Sequence, residues 1–557
     1  MKYQYHTVKA IKIKYLLIFV ILLFFQSFSY SQPVTQEWVR QFSRGNYTQA
    51  KRIGLDSVFN VYVLTKYYND TTLGDFGLIK YNNFGELLWD TIYNSPGNLN
   101  DQPTAFVVNS SGDIYITGYS DNSFSGFNLT VKYNTNGVVQ WVRTNYEGGF
   151  HDITLDGDGN VILVGGTGGD TGSAIILKYN SNGDTLWERV FPAPQNTNFL
   201  YDVAIDDSNN IYAVGTYNSL YYLVIKYNQN GNLQWYATYH ESPQRFSGAN
   251  YLDVDNNGNV YVIGSTSYPG IGFNNTLVKL NNVGAIQWTR TFVGLYGGQP
   301  GHSGYPAGVV VTNDGNSVYY TTFSQTTTIT DFVTLKYNSA GDSQWAAIYP
   351  TGIYGGPQND PVGIKVDNNN NIYIAGFAEY PGTGINYVTI KYSPSGVQQW
   401  VANYTEYEGH LTDFCLDTNL NVYVTGTTSI GTPNYKATTI KYSQPNGIIP
   451  ISGNVPAKFN LSQNYPNPFN PITKIRFDIP TPLNPPFDKG GWTKSGGFLK
   501  LTIYDILGRE VTTLVNQHLI PGTYEAEWDA SNYPSGVYFY KLVAEDYTQT
   551  KKMVLVK

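Results

Sequence analysis

The sequence predicts an all-β chain in which a closed ring of four-stranded units precedes a small β-sandwich. Three observations carry this. A phrase, Lys-Tyr-Asn-x-x-Gly-x-x-x-Trp, recurs through most of the chain. A second phrase, an Asp-rich turn followed by Asn-Val-Tyr-Val-x-Gly, alternates with it. Residues 459–557 abandon both phrases and alternate apolar and polar residues between Pro and Gly turns.

The N-terminus reads as a targeting segment. Lys9, Lys12 and Lys14 precede an apolar run over 15–28, too short for a membrane span. Small residues around Ser31 predict a signal peptide, 1–31, cut between Ser31 and Gln32. No cysteine follows the run to carry a lipid anchor, and no later segment is apolar enough to span a bilayer.

The repeats begin next. The first phrase appears as KYNNFGELLW (80–89), KYNTNGVVQW (132–141), KYNSNGDTLW (178–187), KYNQNGNLQW (226–235), KLNNVGAIQW (279–288), KYNSAGDSQW (336–345) and KYSPSGVQQW (391–400). Clear copies of the second are DITLDGDGNVILVGG (152–166), DVAIDDSNNIYAVGT (202–216), LDVDNNGNVYVIGS (252–265), IKVDNNNNIYIAGF (364–377) and FCLDTNLNVYVTGT (414–427). Each unit therefore holds four strands; in the third they run 153–156, 161–165, 174–179 and 185–191. The strands are joined by Asp/Asn/Gly hairpin turns, whose residues tolerate positive φ. Four-stranded units at this period predict the blades of a β-propeller.

Eight copies of the Asn-Val-Tyr phrase and eight tryptophans, Trp38, Trp89, Trp141, Trp187, Trp235, Trp288, Trp345 and Trp400, give an eight-bladed ring over 32–446. Trp38 has no Lys-Tyr-Asn before it, and Lys441-Tyr442 has no tryptophan after it. Circular closure reconciles the two: the strand around Trp38 completes the last blade. A seven-bladed ring is the alternative, with the degenerate unit at 51–81 outside it. The repeats resemble the bacterial β-propeller (SBBP-type) repeat of surface and secreted proteins, a resemblance that implies a scaffold and no single activity.

Residues 447–458 read as a linker. The strands ITKIRFDIP (472–480), LKLTIYDILGREVTTLV (499–515), PGTYEAEWDA (521–530), PSGVYFYKLVAED (534–546) and KKMVLVK (551–557) then predict a small immunoglobulin-like sandwich over 459–557, with a loop insertion at 481–498. YPNPFNP (465–471), YDILGREV and SGVYFYKL resemble the type A C-terminal sorting domain of type IX secretion cargo. That resemblance implies the type IX machinery as partner, surface lipopolysaccharide as a second partner, and a secreted or outer-membrane-surface location.

Composition excludes some functions. With a formal net charge of −7 and 13% charged residues the chain has no basic stripe for nucleic acid. The one cysteine, Cys415, lies in an apolar run and reads as an inert core thiol. Asp156-Gly157-Asp158-Gly159-Asn160 and Asp255-Asn256-Asn257-Gly258-Asn259 resemble half a calcium loop but lack its closing glutamate. Their repetition favours a hairpin, so no cofactor is expected and calcium is the one ion left open. The recurring tryptophans and lysines favour packing between blades.

Function is expected where the units differ. The loops that lead from each tryptophan strand to the next blade carry His151, Asp152, Asp202, His240, His302, Asp360, His410 and Asp413. Variable loops on a rigid scaffold form binding sites. The sequence thus predicts a face that binds a glycan or protein ligand; the rival reading is a merely polar rim. No catalytic motif occurs, so no enzyme is expected, and the alternative is a hydrolase or lyase with a site in the central channel.

Overall fold

The computed structural model describes residues 34–557 except 46, 69–73, 122–125, 146–147, 169–171, 192–197, 242–245, 269–271, 295–301, 326–328, 355–358, 381, 430–434, 445–447, 453–455, 481–496, 520, 531–532 and 545–546. The signal-peptide reading and its cut at Ser31 and Gln32 lie outside the described residues, as does nearly all of the 481–498 insertion.

The described elements are all strands. The first unit shows why. Its second strand, Val61–Tyr68, and third, Asp75–Tyr81, are buried along almost their whole length. A strand covered on both faces reads as a continuous run of β-branched and aromatic residues, as these do. The first strand, Tyr47–Leu55, and fourth, Leu87–Tyr93, are only partly buried and more polar. All four pair antiparallel in chain order. Asn82 closes the last hairpin: its Oδ1 accepts the amides of Phe84 and Glu86 at 3.0 and 2.9 Å. Gly85 at φ +77° supplies the left-handed residue.

This pattern repeats. Among the described residues the pairings form eight units: 47–93, 100–145, 148–190, 199–239, 247–292, 308–354, 360–404, and an eighth from 408–443 plus the strand Thr35–Phe42. They are numbered unit 1 to unit 8 in that order. In unit 8 the N-terminal strand runs antiparallel to Tyr435–Ser443 and sets Trp38 opposite Lys441, as circular closure requires. The first strands touch their neighbours in a continuous cycle, that of unit 8 against that of unit 1, and so surround the axis of a propeller-like ring.

The tryptophans bind each unit to the next. Trp89, Trp141, Trp187, Trp235, Trp288 and Trp345 each donate an indole N–H to a carbonyl in the following unit's last hairpin turn, at 3.0–3.1 Å. That turn is Asn-x-x-Gly in all but unit 7, where it is Ser393-Pro394-Ser395-Gly396. Trp38 does the same to Asn83 of unit 1 at 3.1 Å and continues the cycle through unit 8. The turn glycine lies against the same indole: a Cβ on Gly137 would stand 3.0 Å from Trp89.

The tail forms two four-stranded antiparallel sheets around one core. One joins Ile448–Ser452, Gly522–Asp529, Ile472–Ile479 and Asn460–Leu461; the other joins Glu510–Leu519, Gly497–Tyr504, Gly536–Ala544 and Tyr547–Leu555. The 447–458 linker expectation needs correcting. Ile448–Ser452 is a strand paired antiparallel to Gly522–Asp529, whose edge supplies its backbone partners. Asn464, just before the YPNPFNP segment, ties the two sheets together. The Asn464 amide donates to Tyr540 Oη at 2.8 Å, and its Nδ2 donates to Thr473 Oγ1 at 2.9 Å.

Candidate functional site

The two faces of the ring differ in kind. The face bearing the Asp turns and Asn-x-x-Gly turns is built from repeated structural ties. Asp156 Oδ1 accepts the amides of Asp158 and Asn160 at 3.0 and 2.8 Å. Its Oδ2 accepts Asn160 Nδ2 at 3.0 Å and pairs with Lys178 Nζ at 2.7 Å. Asp255 accepts Asn257, Asn259 and the Asn259 side chain in the same way. These carboxylate oxygens serve the hairpin, which accounts for the calcium-like spelling. Among the described residues no group of three or more His, Cys, Asp or Glu side chains is placed to hold a metal ion. The recurring lysine also spans units: Lys178 Nζ donates to Gln229 O of unit 4 at 3.1 Å.

The channel wall carries no such regularity. Most first strands bulge near their start, and the residue after the bulge differs from unit to unit: Arg52, Ala105, Asp152, Asp202, Tyr251, Gly363 and Asp413. Three of the sequence-predicted residues, Asp152, Asp202 and Asp413, thus meet in one layer. Each reaches the next unit's first strand: Asp152 Oδ2 accepts the Val203 amide at 3.2 Å, Asp202 Oδ2 that of Leu252 at 2.8 Å, and Asp413 Oδ2 that of Ile53 at 3.0 Å. Burial raises Asp152 above the usual carboxylate range. It raises Asp202 further, aided by the charge and hydrogen bond of Asp152. Tyr251 feels Asp202, Arg52, Asp152 and Asp413 together, which puts groups from five units around one space. One step along the strands, Asp253 is held at about 6 by burial, with Lys365 facing it from unit 7.

The remaining sequence-predicted residues lie elsewhere on the loop-bearing face. His151 is half-buried with its ring 6.1 Å from Phe199 and 5.3 Å from Tyr201, and burial lowers its pKa. His240 follows the outermost strand of unit 4, edge-on to Tyr221 at 4.9 Å, and does not join the channel group. His302 falls in the short strand His302–Ser303, which pairs with unit 6; its side chain is outside the described residues. Asp360 and His410 each neighbour Phe377 at the seam of units 7 and 8. Asp360 is paired with Phe377, whose ring stands 4.6 Å from His410.

Arg52, Tyr251, Asp253, Lys365 and Phe377 escaped motif reading. The signal for the first two was present: aligned on the Asp turn, Arg52 and Tyr251 occupy the position of Asp152, Asp202 and Asp413. The single cysteine, Cys415, sits half-buried in the wall of unit 8, where burial pushes its thiol pKa up.

Among known proteins, the family model of the secretion system C-terminal sorting domain matches residues 463–557. That tail marks the protein for secretion or for attachment at the outer-membrane surface. Among the described residues no helix is long and apolar enough to cross a membrane. No curated protein matches the chain. Solved structures with a similar course include PorZ, a bacterial surface component of the type IX secretion system of Porphyromonas gingivalis. It is 13% identical, with 91% of this chain and 70% of that chain covered and a TM-score of 0.37. A Dyadobacter fermentans protein of unknown function is 10% identical, over 74% of this chain and 99% of that one, at a TM-score of 0.38. A PL25 ulvan lyase is 10% identical, over 66% and 96%, at 0.38. Likenesses this distant carry no argument about activity.

Proposed function

We propose that this protein is a surface-displayed scaffold that binds a glycan on the loop-bearing face of its SBBP-type ring. A leader at 1–31 takes it through the inner membrane. The sorting domain engages the type IX machinery, and the protein is released or joined to surface lipopolysaccharide. One observation carries the binding role: the turn face repeats the same ties in unit after unit, while the channel layer and the loop-bearing face differ from unit to unit. Packing demands alone would repeat. The groups that differ are aromatic rings beside polar partners, such as Tyr47 between Tyr68 and Tyr435 at 4.8 and 4.7 Å, and Tyr201 beside His151. Rings with polar neighbours suit a pyranose, which offers an apolar face and a rim of hydroxyls, better than a broad apolar protein contact. A glycan array probed with the mature chain tests this. Binding to a defined glycan is expected; binding to proteins alone would overturn the reading.

A second reading, a hydrolase or lyase acting in the channel, draws on the neighbouring buried carboxylates Asp152 and Asp202, both held above the usual range, since such pairs can supply an acid and a base. It predicts that Asp202→Asn abolishes any cleavage of a bound polysaccharide. No depolymerisation by the unsubstituted protein would remove this reading.

A further inference from the structure

We propose that the seam between units 7 and 8 is a subsite for one uncharged pyranose residue, with Phe377 as its platform and Asp360 and His410 as its hydrogen-bonding walls. This rests on the glycan reading and deepens it.

The geometry comes from strand pairing. Asp360 and Phe377 lie directly opposite each other on the first two strands of unit 7, so their side chains share a sheet face. A Cβ on the adjacent Gly376 would meet Phe332 of unit 6 at 2.9 Å, so that residue looks back toward unit 6 and Phe377 looks toward unit 8. There the His410 ring stands 4.6 Å from that of Phe377 at 63°. An acid, a ring and an imidazole are thus contiguous.

The repeat does not require them. The equivalent pairs in units 1 to 5 are Gln49–Lys66, Gln102–Tyr119, Gly149–Gly166, Phe199–Thr216 and Gly248–Ser265. The acid is also uncommitted. The channel carboxylates Asp202 and Asp413 each accept two backbone amides. Asp360 has no hydrogen bond or ion pair among the described residues, and burial alone holds its carboxyl at about 6. A half-buried carboxylate without protein donors has its oxygens open to a ligand's hydroxyls. The His410 side chain likewise has no hydrogen bond among the described residues. Burial lowers its pKa, so it presents one donor and one acceptor at neutral pH.

These groups select the ligand class. The Phe377 ring takes the C–H face of a sugar, the Asp360 carboxylate accepts hydroxyl protons, and His410 exchanges a further pair. Asp360 repels a uronate, as does Glu408, whose carboxylate would lie 2.1 Å from a Cβ on Gly384 of unit 7.

The test uses the mature full chain and immobilised glucan, xylan, mannan and galactan, with polygalacturonate as the charged comparison. One neutral polymer should bind best. Phe377→Ala, Asp360→Asn and His410→Ala should each weaken binding about tenfold, the worth of one charge-assisted hydrogen bond or one ring contact. Asp360→Asn should also raise the Tm at pH 7.5, which separates lost binding from lost folding. Unchanged affinity in all three variants, or preference for polygalacturonate, overturns the subsite while leaving the glycan reading intact. Binding to none of the polymers overturns both.

Discussion

Gln444 stands where every other unit offers a turn carbonyl. The indole of Trp400 donates to its Oε1 at 3.1 Å, and Lys391 Nζ donates to the same atom at 2.7 Å. Its Nε2 donates to Tyr373 Oη at 3.2 Å and to the Leu420 carbonyl. One buried side chain thus replaces the turn that ties unit 7 to unit 8. Gln444→Ala leaves a buried ammonium and an indole N–H without their acceptor and should cost about 3 kcal/mol in urea unfolding. Gln444→Glu should recover part of that loss, because it restores the acceptor. The Asp156–Lys178 pair behaves differently. Both side chains are buried, so removing one partner strands the other. Lys178→Ala should cost about 3–5 kcal/mol by the same measurement. Neither cost is legible from the phrase alone. The lysine recurs in all eight units, while its burial depends on the neighbouring unit.

At the scale of the element, the strands were legible because their causes are local. Asn82 and Gly85 close their own hairpin, and the apolar runs on either side mark strands covered on both faces. The linker was misread for a similar reason. Ile448–Ser452 carries Pro450 and has a glycine on either side in the sequence, and only the distant edge of Gly522–Asp529 makes a strand of it. The strand Thr35–Phe42 presents the opposite case, because its missing Lys-Tyr-Asn declared that its partner lay elsewhere. Deleting 34–42 should leave Tyr435–Ser443 as an open edge and produce soluble aggregates in light scattering. Adding a peptide of that sequence should suppress them. A deletion variant that remains monomeric would show that closure is dispensable.

At the scale of the molecule, opposed titrations shape stability. Asp156 and Asp206 are held below their usual range, because hydrogen bonds in the turn, and Lys178 in the case of Asp156, outweigh burial. Their contribution is present above a pH of about 4, the unfolded-state value, and is lost as pH falls through the lower folded value. Asp253 and Asp360 are raised to about 6 by burial. Their folded forms prefer the proton, so the stability they contribute is present below about pH 4 and is lost as pH rises through about 6. The Tm should therefore be highest near about pH 4 and fall as pH rises through about 6. A Tm that rises steadily to pH 8 would mean that the channel carboxylates ionise without cost.

The chain by itself determined its strands, its repeated ties, its closing strand and its export tail, because each is spelled by residues close together in sequence or by an identical phrase repeated many times. Tertiary structure alone decided which acids meet. Asp152, Asp202 and Asp413 come together with Arg52 and Tyr251 because first strands from five units surround one axis, and Phe377, opposite Asp360, reaches His410 across a seam between units. The physical reason is that the ring places one residue from each unit in a common layer. Those residues lie dozens of positions apart in the chain, where no local pattern records that they are neighbours.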